Sequence, residues 1–355
     1  MFKENYNVIG VMSGTSLDGI DLAHLQFDLK DEKWSFKIME TATISYTNEW
    51  TEALKNASKL HPEALNLLDK TYTQLLGETI KNFISENKIE ALDAVCSHGH
   101  TVLHQPNHGI TYQIGNLPII ATIINEKVVC DFRVKDVKLG GQGAPLVPIG
   151  DKLLFSEYDY CINLGGFSNI SYEMNEKRIA FDICAVNTIL NYYSQKLGFK
   201  YDKDGEIAKS GTCHQALLEA LNKLEFYAMS APKSLGIEYV NQIMIPLIDT
   251  FQLETNEILN TFCHHIAVQI NKTLPNQNAK ILLTGGGAYH QFLIEKIKEQ
   301  SPQITFEIPN SKMIEYKEAL IFGFLGVLRL RNEINVLASV TGAPFDHVSG
   351  EIFEK

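Results

Sequence analysis

Small residues and a carboxylate share one turn near the start of the chain, in the run Met12, Ser13, Gly14, Thr15, Ser16, Leu17, Asp18 and Gly19. Apolar runs precede and follow it, which predicts a strand, a tight turn and a second strand. Backbone amides of such a turn can approach an anion closely. Asp18 and Asp21 lie beside it, and a carboxylate next to an anion site suggests a bridging cation such as Mg²⁺. The turn is a candidate phosphate loop, with an ordinary capped hairpin as the open alternative.

Two later turns have the same character. A predicted strand at 160–164 leads into Gly165, Gly166, Phe167 and Ser168, and a strand at 279–284 leads into Gly285, Gly286 and Gly287. Bare glycine backbone allows a ligand to lie close to the chain. The triglycine lacks the G-x-G-x-x-G spacing and the helix context of a dinucleotide fold, so packing against an adenosine is the better functional interpretation.

Histidine and charged residues mark two further segments. Four histidines, at positions 98, 100, 104 and 108, invite a zinc interpretation. Zinc sites pair histidines with cysteine or carboxylate at fixed spacing, which this stretch lacks, so polar residues lining a cleft are favoured. Asp131 and Arg133 end a predicted strand at 128–133, where α/β folds place ligand contacts. A salt bridge that only maintains the fold is equally compatible with that pair.

Composition bounds the class of protein. The chain has 355 residues, 45% hydrophobic and 21% charged, which are globular values and suggest about two domains. A net charge of −11 makes nucleic acid an unlikely partner. We expect no secretory signal or membrane span, because no apolar stretch is long enough for either. Six dispersed cysteines without a C-x-x-C pair predict reduced, mostly buried thiols in a cytoplasmic protein.

The predicted elements repeat once along the chain. Strands are expected at 8–12, 20–29 and 34–46, and helix from 49 to 86. The motif of strand, glycine-rich turn and strand recurs at 160–172. The glycine- and proline-rich run 138–148 predicts a crossover between domains, a substrate loop, or both. We therefore expect domains at 1–135 and 136–334, with the tail 335–355 packed on the first.

The motifs together resemble one family. They are MSGTSLDG (12–19), SHGHTVLHQP (97–106), DFRVKD (131–136), GGQGAPLVP (140–148), LGGFSNI (164–170), FDICAVN (181–187), LTGGGAYH (283–290) and EALIFGFLG (318–326). In this order, and covering almost the whole chain, they closely resemble the anhydro-N-acetylmuramic acid kinases. The resemblance implies an α/β fold of two ribonuclease-H-like domains with mixed sheets around an ATP cleft, as in actin, sugar kinases and chaperone ATPases.

The resemblance also implies a reaction of peptidoglycan recycling. Water opens a 1,6-anhydro sugar, and ATP phosphorylates its 6-oxygen to give N-acetylmuramic acid 6-phosphate and ADP. By match to the family motif, Asp182 is the general base; the alternative is an N-cap of the helix expected at 185–197. Expected partners are the sugar and ATP with Mg²⁺ near Asp18, without nucleic acid or membrane, and with a homodimer left open.

Backbone of the three glycine turns is expected to bind ATP. His98, Arg133 and Glu318 are expected to contact the sugar, a solvated first-turn glutamate being the alternative for Glu318.

Three departures from the family pattern bear on the substrate. After Asp182 the family usually has threonine, glycine, proline, glycine and asparagine, whereas this chain has Ile183, Cys184, Ala185, Val186 and Asn187. His100 stands where glutamine is usual, and Asn116 where aspartate is usual. A kinase for another cell-wall sugar, or a regulator that binds nucleotide or sugar without turnover, therefore stays open.

Overall fold

The computed structural model describes residues 2–14, 16–275 and 277–355, and strands and helices alternate along them. The strands are β1 (Asn5–Ser13), β2 (Ile20–Lys30), β3 (Lys33–Ile44), β4 (Ala94–Gln105), β5 (Ile110–Ile114), β6 (Val128–Cys130), β7 (Tyr160–Leu164), β8 (Phe167–Met174), β9 (Lys177–Ala185), β10 (Ala279–Thr284), β11 (Ile304–Glu307) and β12 (Glu351–Phe353).

The helices are α1 (Asn48–Asn56), α2 (Pro62–Glu86), α3 (Ile119–Ile124), α4 (Val134–Lys138), α5 (Val147–Leu154), α6 (Asn187–Lys196), α7 (Glu206–Ser210), α8 (Gln215–Asn222), α9 (Ile237–Tyr239), α10 (Ile245–Asp249), α11 (Thr255–Thr273), α12 (Gln291–Gln300), α13 (Ser311–Leu330) and α14 (Ala338–Thr341).

The chain divides into two compact units. The first contains residues 1–154 and 316–355, and the second contains residues 155–315. The sequence-based division placed 136–154 and 316–334 in the second domain. In the structure they belong to the first unit, because Gly150 of α5 packs against Ile321 of α13, and α13 packs on β1. A glycine-rich break signals irregular backbone, and it carries no information about which core the next helix joins.

The sheet of the first unit has the order β3-β2-β1-β4-β6-β12, with β5 on β4. Strands β1, β2 and β3 form an antiparallel meander, while β4 runs parallel to β1, and β6 parallel to β4. The tail adds β12, antiparallel to β6.

The sheet of the second unit has the order β9-β8-β7-β10-β11, with the same meander and the same two parallel strands. When the antiparallel β5 is left out, the first five strands of each sheet thus pair in the order 3-2-1-4-5. This repeat confirms the expected α/β class with two ribonuclease-H-like mixed sheets, although the two halves share only a weak sequence repeat.

Apolar side chains at helical spacing build a core in each unit. On α2, which begins with Pro62 at its first position, Tyr72, Leu76 and Ile80 are fully buried. On α11 of the second unit, Phe262 and Ile266 are fully buried in the same way. Each sheet therefore has a packed helical layer that fixes the ends of its strands.

Close backbone packing fixes α13 on the first sheet. A Cβ added to Gly10 of β1 would overlap the carbonyl oxygen of Ala319, and one added to Gly326 would overlap Cys96. Gly323 packs beside Gly10. Gly323 and Gly326 therefore allow α13 to approach the sheet closely, and the contact of Ala319 with Gly10 holds Glu318 beside β1.

Two general expectations concern cysteines and membranes. All six cysteines are free thiols, and every one except Cys213 is buried, as predicted. Within the described ranges, no helix has the length and apolar character needed to cross a bilayer.

Candidate active site

The first phosphate-loop candidate follows β1. Ser13 pairs with Ile20, so a short turn joins β1 to β2, as predicted. The amide of Leu17 donates to the carbonyl of Gly14 at 3.3 Å. Gly19 is required by its φ of 154° and because a Cβ would lie 2.5 Å from the Ile44 carbonyl oxygen. Met12 and Ser13 are buried, whereas Ser16 and Asp18 are exposed. Thr15 lies outside the described residues.

A buried hydroxyl network anchors the start of this turn. The Ser13 hydroxyl lies 2.7 Å from the Tyr46 hydroxyl, 2.9 Å from that of Tyr72 and 3.0 Å from Nδ1 of His100. The hydroxyls of Tyr46 and Tyr72 lie 2.6 Å apart. Burial lowers the pKa of His100 to about 4, so its ring is neutral near pH 7. The side chain of Ser13 is therefore engaged in a network that holds β1 in place.

Asp18 is the expected Mg²⁺ contact. It is exposed on the turn, and among the described residues no group of three or more histidine, cysteine or carboxylate side chains could hold a metal ion. Mg²⁺ usually keeps several waters and binds through one or two carboxylates plus substrate phosphates, without an all-protein cage. An exposed carboxylate on a glycine-rich turn fits that mode of binding, whereas His98, His100 and His104 take part in hydrogen bonds with other protein groups.

The second and third glycine turns meet in the second unit. Gly285 has a φ of 82°, and a Cβ there would lie 2.6 Å from Oδ1 of Asn163, at the end of β7. A Cβ on Gly287 would lie 2.8 Å from that of Leu164. The triglycine turn after β10 therefore lies directly against the turn that follows β7. Both turns occupy the carboxyl end of two adjacent parallel strands, where α/β sheets bind ligands.

The start of α6 orients the turn at Gly165 and Gly166. The Gly165 carbonyl accepts from the Asn187 amide at 3.2 Å, and the Gly166 carbonyl accepts from the Val186 amide and the Thr188 hydroxyl, each at 2.9 Å. The N–H and C=O of a trans peptide point in opposite directions. The amide of Gly166 therefore points away from α6, as an anion-binding turn requires.

Asp182 lies on β9, opposite Asn169 of β8 and close to that same turn. Its Oδ2 accepts from the Leu235 amide at 2.9 Å and from the Ser234 hydroxyl at 3.1 Å. Burial raises the pKa of its carboxyl, and these two hydrogen bonds oppose the rise. The alternative of a helix cap is wrong, because α6 begins at Asn187 and both bonds go to residues 234 and 235.

The stretch after Asp182 is strand and core. Ile183, Cys184 and Ala185 continue β9 and are buried. The altered residues therefore change the packing beneath Asp182.

The expected sugar contacts lie in the first unit. Arg133 donates from Nε to Nε2 of His98 at 2.8 Å and from Nη1 to the Gly143 carbonyl at 2.7 Å. Glu318 is solvent-accessible. Loss of hydration among surrounding protein raises the pKa of its carboxyl, and the positive charge of Arg133 opposes this. The carboxylate of Asp21 also raises it.

The structure therefore groups the first turn with His98, Arg133 and Glu318, and it groups Asp182 with the other two turns. Sequence reasoning missed the Tyr46 and Tyr72 hydroxyls, which look like ordinary core positions. It also missed Ser234 and Leu235, whose loop has no recognisable pattern.

Comparisons with known proteins agree with one another. A family model described as anhydro-N-acetylmuramic acid kinase matches residues 6–355. Proteins named anhydro-N-acetylmuramic acid kinase include one from Shewanella frigidimarina, 31% identical over 100% of both chains. One from Actinobacillus pleuropneumoniae serotype 3 is 33% identical over 98% of both. One from Pasteurella multocida is 34% identical over 98% of this chain and 96% of that one.

A solved structure, the activator of the 2-hydroxyisocaproyl-CoA dehydratase from Clostridium difficile with bound ADPNP, is similar at a TM-score of 0.41 and 11% identity. The match covers 92% of this chain and 97% of that one.

Proposed function

The chain belongs to the anhydro-N-acetylmuramic acid kinase family, and on that premise we propose which of its residues perform the reaction. The enzyme is an ATP-dependent phosphotransferase of peptidoglycan recycling. It adds water across the 1,6-anhydro bridge of anhydro-N-acetylmuramic acid and phosphorylates the freed 6-oxygen. The observation that supports the residue assignment is that Asp182 pairs with Asn169, three residues after Gly166, on the strand that leaves the second glycine turn. The third glycine turn lies against the end of β7, which enters that second turn.

Asp182 is the general base. Both of its hydrogen bonds end on Oδ2, which holds the carboxylate so that Oδ1 can accept a proton from water. A carboxyl pKa raised by burial brings a base closer to the working pH. Water attacks the anomeric carbon as Asp182 takes its proton, and the bond from that carbon to the bridging oxygen breaks. The 6-oxygen keeps the electron pair, attacks the γ-phosphorus, and ADP leaves.

The glycine turns bind ATP through backbone. Phosphoryl transfer requires alignment and charge neutralisation more than covalent participation by the protein. Amides of residues 12–19 and 165–168 supply hydrogen bonds to phosphate, and residues 285–287 provide a flat surface for the adenosine. Mg²⁺, held near Asp18 through water, supplies positive charge to the phosphates when bound. The low pKa of His100 keeps that ring uncharged beneath the first turn.

His98, Arg133 and Glu318 contact the sugar. The guanidinium offers a fixed cation at a site that must accept a carboxylate-bearing amino sugar, since muramic acid carries a lactyl carboxylate. Glu318 offers an acceptor for sugar hydroxyls.

An ADP-release assay tests the proposal, with 1,6-anhydro-N-acetylmuramic acid, N-acetylmuramic acid and N-acetylglucosamine as acceptors. We expect ADP release that depends on the anhydro sugar and phosphate that appears on its 6-oxygen. Preference for another sugar would favour the second candidate, a kinase of different specificity, for which the buried apolar residues after Asp182 are the motivating observation. Nucleotide binding without turnover on any acceptor would contradict both.

A further inference from the structure

The C-terminal residues 335–349, called here the C-terminal strap, are tied into the first unit by buried polar groups. Asn335 donates to the carbonyls of Leu325 and Ser349, at 3.1 and 2.9 Å. The hydroxyl of Ser349 donates to the carbonyl of Phe132 at 2.6 Å. Asn335 and Ser349 are almost fully buried. The strap is therefore an integral part of the unit, attached directly to the segment that carries Arg133.

Asp136 joins the strap to the glycine-rich loop 139–146. Its carboxylate is fully buried, and it accepts at Oδ2 from the Gly143 amide at 2.6 Å and at Oδ1 from the Thr341 hydroxyl at 2.7 Å. Nε2 of His347 lies 3.5 Å from Oδ1. A Cβ on Gly141 would overlap this carboxylate, so the loop wraps closely around it. Hydrogen bonds to a buried carboxylate are strong, and they hold the loop in one conformation.

Gly143 of this loop also holds the side chain of Arg133. The amide of Gly143 donates to the Asp136 carboxylate, and its carbonyl accepts from Nη1 of Arg133 at 2.7 Å. Gly143 has a φ of 67°, and a Cβ would lie 2.7 Å from Cγ2 of Val137, so only glycine fits there. Arg133 in turn donates to His98 at 2.8 Å. A continuous chain of hydrogen bonds thus runs from Thr341 through Asp136 and Gly143 to the sugar-contacting pair.

We propose that Asp136 is a positioning residue for the sugar. The C-terminal strap, through Thr341, holds the Asp136 carboxylate in place, and this carboxylate in turn holds Arg133 through Gly143. This inference rests on the proposed function, in which Arg133 and His98 contact the sugar. Asp136 itself touches no reacting atom. Its loss allows Gly143 to move, and the guanidinium then loses the carbonyl that sets its orientation.

Thr341→Val tests the proposal, because it removes the hydroxyl with little change of shape, and Thr341→Ser is the matched control that keeps it. For Thr341→Val we expect KM for the sugar to rise about 5- to 20-fold while KM for ATP stays within about two-fold. The amide of Gly143 should also exchange with solvent faster by hydrogen exchange. Thr341→Ser should stay near the wild type in both measurements. A parallel rise in both KM values would indicate a merely structural role and overturn the proposal.

Three outcomes separate this proposal from the proposed function. A wild-type protein that turns over none of the acceptors overturns the proposed function. Unchanged exchange of the Gly143 amide in Thr341→Val overturns the positioning role, whichever sugar is used. A sugar KM sensitive to Arg133→Lys but insensitive to Thr341→Val overturns the positioning role alone. Asp136→Asn, checked for folding by thermal unfolding, should reproduce the Thr341→Val result with a larger sugar KM.

Discussion

Nε of Arg133 donates to Nε2 of His98 at 2.8 Å, while Nδ1 of the same ring lies 2.8 Å from the carbonyl oxygen of Gly99. A carbonyl can only accept, so Nδ1 carries the proton and Nε2 presents its lone pair to the arginine. Burial, followed by the positive charge of Arg133, lowers the pKa of His98 well below its usual range. His98 is therefore a neutral ring of one tautomer, which orients the arginine.

Replacing Arg133 by lysine should impair sugar binding. Lysine keeps the charge but cannot donate at once to His98 and to the Gly143 carbonyl in the planar geometry of a guanidinium. We expect KM for the anhydro sugar to rise about 10- to 100-fold, corresponding to one or two charge-assisted hydrogen bonds, with KM for ATP little changed. Steady-state kinetics with each substrate varied separately measures both. An unchanged sugar KM would remove Arg133 from the site.

Replacing Asp182 by asparagine should remove the general base. We expect the turnover rate to fall by about 10²- to 10⁴-fold while ATP binding, measured by calorimetry, is retained. Turnover near the wild-type rate would refute the assignment.

Ser234→Ala tests the same carboxylate with a smaller change than Asp182→Asn. Its hydroxyl holds down the pKa of Asp182, so its removal should shift the acidic limb of kcat/KM to higher pH by less than about one unit. The pH profile of Ser234→Ala against the wild type measures this. An acidic limb that does not move would mean that Asp182 does not control it.

Asp131 should make stability depend on pH. Burial raises its pKa to about 6, against the opposing hydrogen bond from Asn116, whereas the unfolded chain has the ordinary value near 4. The folded state therefore binds more protons between pH 4 and 6, and stability falls as pH rises through that window.

Asp131→Asn isolates this effect, since asparagine also tolerates the φ of 57° at this position. We expect the free energy of unfolding of the variant relative to the wild type to rise by about 1–2 kcal/mol between pH 4 and 6. Urea unfolding at several pH values measures it. A constant difference would show that Asp131 titrates normally.

Gly326→Ala should destabilise the first unit. The added methyl would overlap Cβ and Sγ of Cys96, in a position where the strand cannot retreat. We expect a loss of about 1–3 kcal/mol, seen as a lower thermal midpoint. Gly77→Ala on α2 is the control, because its new methyl meets mainly Cγ2 of Ile123 at 2.8 Å, a side chain that can shift. Equal losses in the two variants would contradict the reasoning.

Local patterns predicted most elements, because strand alternation and helical spacing depend on neighbouring residues. The strand, turn and strand around residues 12–19 were predicted correctly. The hydrogen bond from Thr341 to Asp136 joins residues 205 positions apart, and no local pattern contains it. The same is true of Leu235 on Asp182, 53 positions away. Residues 136–154 and 316–334 joined the first unit for the same reason, since long-range packing decides which core a helix joins.

The bare-backbone contact between Gly10 and α13 has a mechanical consequence. Gly10 lies on the strand that ends at the first phosphate turn, and Ala319, which touches it, adjoins Glu318. No flexible side chain separates the two backbones, so neither can slide without the other. In the proposed function, the turn that binds phosphate and the glutamate that contacts the sugar therefore keep a constant spacing.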